Sequence, residues 1–117
     1  MLTITLPFEV PSRNVLDKMH WSKRHAFTRM VECMLFPYCR GDYKAKGPRS
    51  LTITAYRKRK LDRDNLIGGL KGPIDALVRR GFLIDDDEAN CSITYKQELC
   101  GKSKPITVIT MTEGTPQ

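Results

Sequence analysis

Four short runs in this chain alternate apolar and polar residues, while two of the stretches between them carry a helical period instead. The alternating runs are Leu2–Leu6 (L-T-I-T-L), Leu51–Tyr56 (L-T-I-T-A-Y), Ser92–Leu99 and Ile106–Met111. Such alternation is the mark of strands with one buried face. Phe27, Met30, Val31, Met34 and Leu35 fall at i, i+3, i+4, i+7 and i+8, the apolar stripe of a helix beginning near Ser22. Pro37 stops or kinks it. Leu66, Leu70, Ile74 and Leu77 mark a second helix that closes at Gly81, a C′ glycine behind Arg79 and Arg80. Gly68-Gly69 and Pro73 interrupt its first half and predict a bend or bulge. Arg13–His20 reads as an exposed connection and Gly41–Pro48 as a polar, basic loop.

The order β-α-β-α-β-β over 117 residues implies a single α+β domain, a mixed sheet with two main helices on it. The domain should span residues 1–112, its last two strands joined as a hairpin through Gly101–Pro105. Residues 113–117 read as a disordered tail. No apolar run approaches the ~20 residues of a membrane span. Met1–Phe8 alternates and lacks the basic start of a signal peptide. The expectation is a cytoplasmic protein with no membrane partner. Cys33, Cys39, Cys91 and Cys100 form no C-x-x-C pair, which argues against zinc and for free thiols in a reducing compartment.

Charge narrows the function. Twenty Lys and Arg against thirteen Asp and Glu give a net charge of +7, which favours a polyanionic partner, nucleic acid first. Seven of the thirteen acids nevertheless lie between Asp62 and Glu88. An acidic site on a basic chain suits a metal-dependent enzyme acting on a phosphate backbone better than a plain binding module. Asp62 and Asp64 stand at i and i+2 after a strand, where extended chain would aim both carboxylates at one point. A solvated acidic turn with a helix N-cap is the simpler reading of D-x-D alone. A hard cation such as Mg²⁺ would relieve the repulsion among these carboxylates and Asp85 to Asp87. A calcium-binding EF-hand is excluded, since Ile67 stands where glycine is needed and Pro73 where the last ligand should be. Lys71 lies two helical turns past Asp64. It either stabilises charge near the metal or forms a surface ion pair with Asp75.

Three blocks in order then match a known pattern. Asp62-Arg63-Asp64-Asn65-Leu66, Lys71-x-x-x-Asp75-Ala76-Leu77 and Gly81-Phe82-Leu83-Ile84-Asp85-Asp86 closely resemble D-x-D-N-L, K-x-x-x-D-A-L and G-x-x-x-D-D of the RusA family of Holliday junction resolvases. Leu6-Pro7, Pro11-Ser12, Asn14 and His20-Trp21 resemble that family's front elements, so the likeness runs from the first strand to the last pair. It implies a RusA-like fold and a homodimeric endodeoxyribonuclease of bacterial, phage or prophage origin. Such an enzyme nicks four-way DNA junctions symmetrically with Mg²⁺ or Mn²⁺ in recombination and repair. The family's catalytic, metal-holding carboxylates fall on Asp62, Asp64 and Asp86, with Asp85 the alternative third acid, and its essential lysine falls on Lys71. In the family's best-known member that lysine follows the second Asp by four residues. Here the gap is seven, and three extra helical residues add about 4.5 Å of rise. Other readings of the same residues are a catalytically idle junction-binding protein and a broader flap or fork nuclease.

Candidate DNA contacts are Arg13, Asn14, His20, Trp21 and Arg24 around the start of the first helix, and Arg57, Lys58, Arg59, Lys60 and Arg63 beside the first acids. The basic run would contact phosphates or simply keep an exposed strand edge from aggregating. Trp21 would be a core anchor or would stack on an exposed base. His20 and His25 are not assigned to metal.

Overall fold

Ile4 and Leu6 in β1 (Leu2–Leu6), Leu51, Ile53 and Ala55 in β2 (Arg49–Arg57), and Ile109 and Met111 in β4 (Ile106–Glu113) are all buried. Their alternating partners are more exposed, so each run puts one face into the core. In the computed structural model, which describes residues 1–114, these strands and β3 (Cys91–Leu99) form one mixed sheet ordered β1-β4-β2-β3. β4 runs antiparallel to both its neighbours, and β2 runs parallel to β3. The register aligns Ile4, Ile109, Ile53 and Tyr95 in one row across the sheet, and Leu2, Met111, Leu51 and Ile93 in the next. The α+β domain expected from the pattern is therefore present. Among the described residues, no helix is long and apolar enough to cross a membrane.

The expected hairpin is not. β3 and β4 are separated by β2, and the Cys100–Pro105 connection passes over the end of β2. Two strand spacings are roughly 10 Å, well within reach of six residues. Lys58 secures the crossing, its Nζ donating to the carbonyls of Gly101 at 2.8 Å and Ser103 at 2.9 Å. The order of the last two strands looked like a hairpin because only their spacing, not their pairing, is written in the sequence. The C-terminal end also differs from expectation. Glu113 still belongs to β4 and accepts from Arg49 Nε at 3.0 Å, and the Gly114 amide donates to the Pro48 carbonyl at 2.8 Å. Residues 115–117 of the expected tail lie outside the described residues.

Helices α2 (Trp21–Leu35) and α4 (Lys71–Arg80) pack on each other. Val31 and Leu35 supply the buried part of the α2 stripe, whereas Met30 is 41% exposed. A 3₁₀ turn at Phe36–Tyr38 follows, with Pro37 inside it. Gly81 closes α4 in the left-handed region at φ 89°, and the Phe82 amide returns to Leu77 O at 2.9 Å. This is the Schellman geometry that a C′ glycine permits.

Residues 13–20, read as a connection, contain a short helix α1 (Arg13–Lys18). It buries no residue and so carries no apolar period to reveal it; Ser12 starts it by accepting from the Val15 amide at 3.1 Å. α3 (Arg63–Gly69) and α4 are separate helices meeting at Leu70, which is the interruption that Gly68-Gly69 predicted. Conformational freedom is not why these glycines are there. A Cβ on Gly69 would lie 1.8 Å from the Pro11 carbonyl oxygen, and one on Gly68 would lie 2.6 Å from the Arg13 side chain. They let α3 press against the segment that enters α1.

Candidate active site

The path to the site begins where β2 ends. Arg57 is tied back by donating from Nε to the Val10 carbonyl at 2.9 Å and from Nη1 to the Arg59 carbonyl, with Glu9 opposite its Nη2 at 3.8 Å. Four residues on, Gln97 of β3 grips Leu61 from both sides. The Leu61 amide donates to Gln97 Oε1 at 2.9 Å, and Gln97 Nε2 donates to the Leu61 carbonyl at 2.6 Å. This clamp fixes the backbone immediately before Asp62.

Asp62 then caps α3. It accepts from the Asn65 side-chain amide at 2.5 Å and, more weakly, from the Asn65 backbone N–H at 3.4 Å. The other end of the Asn65 amide accepts from the Asn14 N–H at 3.0 Å. One side chain thus joins the first carboxylate, the start of α3 and the start of α1. The side-chain bond from Asn65 holds the Asp62 carboxyl below its ordinary value. The extended-chain reading of Asp62 and Asp64 is corrected here, because the chain turns helical at Arg63. Asp64 falls in the first turn of α3, and only it faces the cleft described next.

That cleft, about 660 Å³, lies between α1 and α2 on one side and α3 and α4 on the other, with the inward face of β3 as part of its lining. Asp64 from α3, Lys71 and Asp75 from α4, and Asp86 from the segment before β3 all face it, as does Asp17 of α1, which pairs with Arg13 at 3.6 Å. Lys71 arrives because Leu70 breaks the helix and restarts it, not because an unbroken helix returns to the same face. Between the two candidates for the third acid, Asp86 faces the cleft. Asp85 accepts from the Asp86 amide at 2.7 Å. Asp87 is occupied in binding the Asn90 amide and side chain at 3.1 and 2.7 Å, which sets the start of β3.

Asp75 is the carboxylate that sequence reading treated only as an ion-pair partner. Burial raises it above its ordinary value; the Lys71 charge opposes the rise, Asp86 adds to it and Arg79 opposes it again. Asp75 therefore feels both the lysine and the second carboxylate across the cleft. Burial, more than its charged neighbours, also pushes the Tyr95 phenol up. Tyr95 and Ile93 form part of the cleft lining.

Of the proposed DNA contacts, Arg13, Trp21 and Arg24 line the cleft. Asn14 and His20 lie outside the cleft lining: the Asn14 backbone N–H donates to Asn65, a bond that does not involve its side chain, and the His20 ring caps α2 by accepting from the Ser22 amide at 3.2 Å. Arg57 and Lys58 are likewise held by backbone carbonyls. Arg59, Lys60 and Arg63 are exposed and lie outside the cleft lining. His25 is in the cleft though no role was read for it; its position four residues after Trp21 was the available signal. Gln97 was missed too, and its only signal was sharing the inward face of β3 with Ile93 and Tyr95.

All the acidic donors are carboxylate oxygens, the chemistry that Mg²⁺ or Mn²⁺ prefers. Among the described residues, no group of three His, Cys, Asp or Glu side chains is placed as it stands to hold a metal ion. The four cysteines are free thiols. No protein-family model matches the chain and no curated protein matches it, so the family likeness rests on its motif residues.

Proposed function

We propose that this chain is a divalent-metal-dependent endodeoxyribonuclease that resolves four-way DNA junctions, as its resemblance to the RusA family implies. The observation that carries the reading is the meeting of Asp64, Asp75 and Asp86, delivered by three segments, with Lys71 in one cleft. A module that only bound phosphate would be weakened by Asp64, Asp75 and Asp86 facing its partner. An enzyme that recruits a cation to that partner needs them.

Asp64 and Asp86 would hold the ion, and Asp62 would have to leave Asn65 to join them. The chemistry a bound ion would supply is positive charge at the scissile phosphodiester and easier deprotonation of the attacking water. Arg13 and Arg24 hold the flanking phosphates and set the register of the strand. Lys71 offsets the negative charge that grows on the phosphorus oxygens in the transition state. Asp75, one turn beyond Lys71 on the same helix, attracts the lysine ammonium and keeps it in the cleft. Water adds to phosphorus and releases a proton; the 3′-oxygen leaves and takes one up. The products carry a 5′-phosphate and a 3′-hydroxyl. A homodimer of C2 symmetry presents two clefts to two opposing strands, so its paired nicks can be religated.

The test is cleavage of end-labelled four-way junction, Y-fork and linear duplex in Mg²⁺, Mn²⁺ or EDTA. Symmetric nicks on the junction are expected, abolished by EDTA and reduced at least 100-fold in Asp64→Asn and Asp86→Asn. Wild-type rates in Asp64→Asn would overturn the proposal. Junction binding without cleavage in either metal would favour a catalytically idle junction binder.

A further inference from the structure

Trp21 is the only tryptophan of the chain, and 61% of its surface is exposed. A ring of that size is ordinarily drawn into a core. Here it stands on the first turn of α2, in the wall of the cleft that holds Asp64, Lys71 and Asp86. Its setting is built. The His20 ring lies 5.4 Å away, inclined by 36°, and the His25 ring lies 5.7 Å away, nearly edge-on at 79°. His20 is itself fixed, since its Nδ1 caps the helix. His25 sits one turn along on the same helix and also lines the cleft.

Size and polarity restrict what can enter. A volume of about 660 Å³ lies within the ~300–1,000 Å³ range of small-ligand sites. It is large enough for one nucleotide. Phe27, Ile93 and Tyr95 add apolar and aromatic surface, while Arg13 and Arg24 supply positive charge beside it. Aromatic surface next to cations is the combination that binds single-stranded nucleic acid with little regard to base identity. Carboxylates alone account for none of this aromatic surface.

We propose that the cleft takes up one unpaired nucleotide of a branched DNA, its base stacked on Trp21, beside the phosphodiester to be cut. The inference rests on the nuclease reading and adds the substrate feature that the site recognises. Continuous duplex keeps every base paired and stacked, so it cannot supply that nucleotide without being opened. The centre of a four-way junction, a fork or a flap supplies it at lower cost. Selectivity for branched DNA then arises within each cleft as well as from the symmetry of a dimer.

The single tryptophan makes the test direct. In EDTA, where no strand is cut, labelled DNA anisotropy reports binding and Trp21 emission reports stacking. Quenching of emission is expected on saturation with a four-way junction, but not at equal occupancy by linear duplex. It should be lost when the nucleotides flanking the branch are replaced by abasic sites. Trp21→Ala should weaken junction binding about tenfold, and Trp21→Phe should restore most of it. Junction binding with unchanged emission, equal quenching by duplex, or no junction binding would each overturn the proposal. Cleavage assayed separately in Mg²⁺ keeps the two readings apart. Cleavage without quenching removes the stacking alone, whereas quenching without cleavage in Mg²⁺ or Mn²⁺ removes the nuclease and leaves the nucleotide site.

Discussion

Asn65 donates through Nδ2 to the Asp62 carboxylate and accepts through Oδ1 from the Asn14 amide. Replacing it by alanine removes both bonds, and Asn65→Ala should lose about 1–2 kcal/mol of stability in urea unfolding. The pH dependence of the cap has a definite sign. Asp62 is depressed in the folded state, so its stabilising effect is present above the ordinary carboxylate pKa of about 3.9 and disappears as pH falls through the lower folded value. In EDTA, the stability gap between wild type and Asp62→Ala should therefore persist at pH 7 and shrink below about pH 3.9. Asp75 has the opposite sign. Its folded value is raised by burial, so its charge opposes folding at neutral pH and less so in acid. Asp75→Asn should raise the thermal midpoint at pH 7 by a degree or two, while slowing junction cleavage about tenfold or more. Spacing alone left Lys71 and Asp75 as either a surface ion pair or part of a site. The structure adds that Asp75 is half-buried and feels the Asp86 charge, and neither fact is visible in one sequence.

At the scale of elements, the α3–α4 break is the joint that brings Asp64 and Lys71 to the same cleft. Gly69 sits against the Pro11 carbonyl with no room for a methyl group. Gly69→Ala should destabilise the fold by about 2–3 kcal/mol, despite the better helix propensity of alanine, and should lower the urea midpoint without changing the slope. If Gly69→Ala instead stabilises the protein, the α1–α3 packing described above is wrong. The interruption itself was legible, because two glycines and a proline depart from helix-forming composition. Its cause was not, since close approach to Pro11 is a contact between residues 58 positions apart. The same limit applies to α1. A helix that buries nothing leaves no periodic trace, and its Ser12 cap became apparent only in the structure.

For the whole molecule, the net charge of +7 says that polyanions are attracted but not by which side chains. The structure separates some of the cations, although Arg13, while lining the cleft, also pairs with Asp17 at 3.6 Å. Lys58 is spent on the 100–105 crossing and Arg57 on Val10 and Glu9, whereas Arg13 and Arg24 line the cleft. Arg24→Ala should lower the slope of log K against log salt for junction binding by about 1. Lys58→Ala should leave that slope unchanged and reduce stability by about 1 kcal/mol. A loss of slope in Lys58→Ala equal to that in Arg24→Ala would show that both bind phosphate.

By itself the sequence determined the strands, the two main helices, the glycine that ends α4 and the three motif blocks, because these depend on local period, capping and turn chemistry. Tertiary structure alone decided that β2 lies between β3 and β4, that Asp62 caps a helix while Asp64 faces the cleft, and that Asp75 joins Asp86 there. Those outcomes depend on which distant groups meet and on how much water their meeting excludes. A one-dimensional pattern records that a carboxylate is present; only packing fixes what it faces.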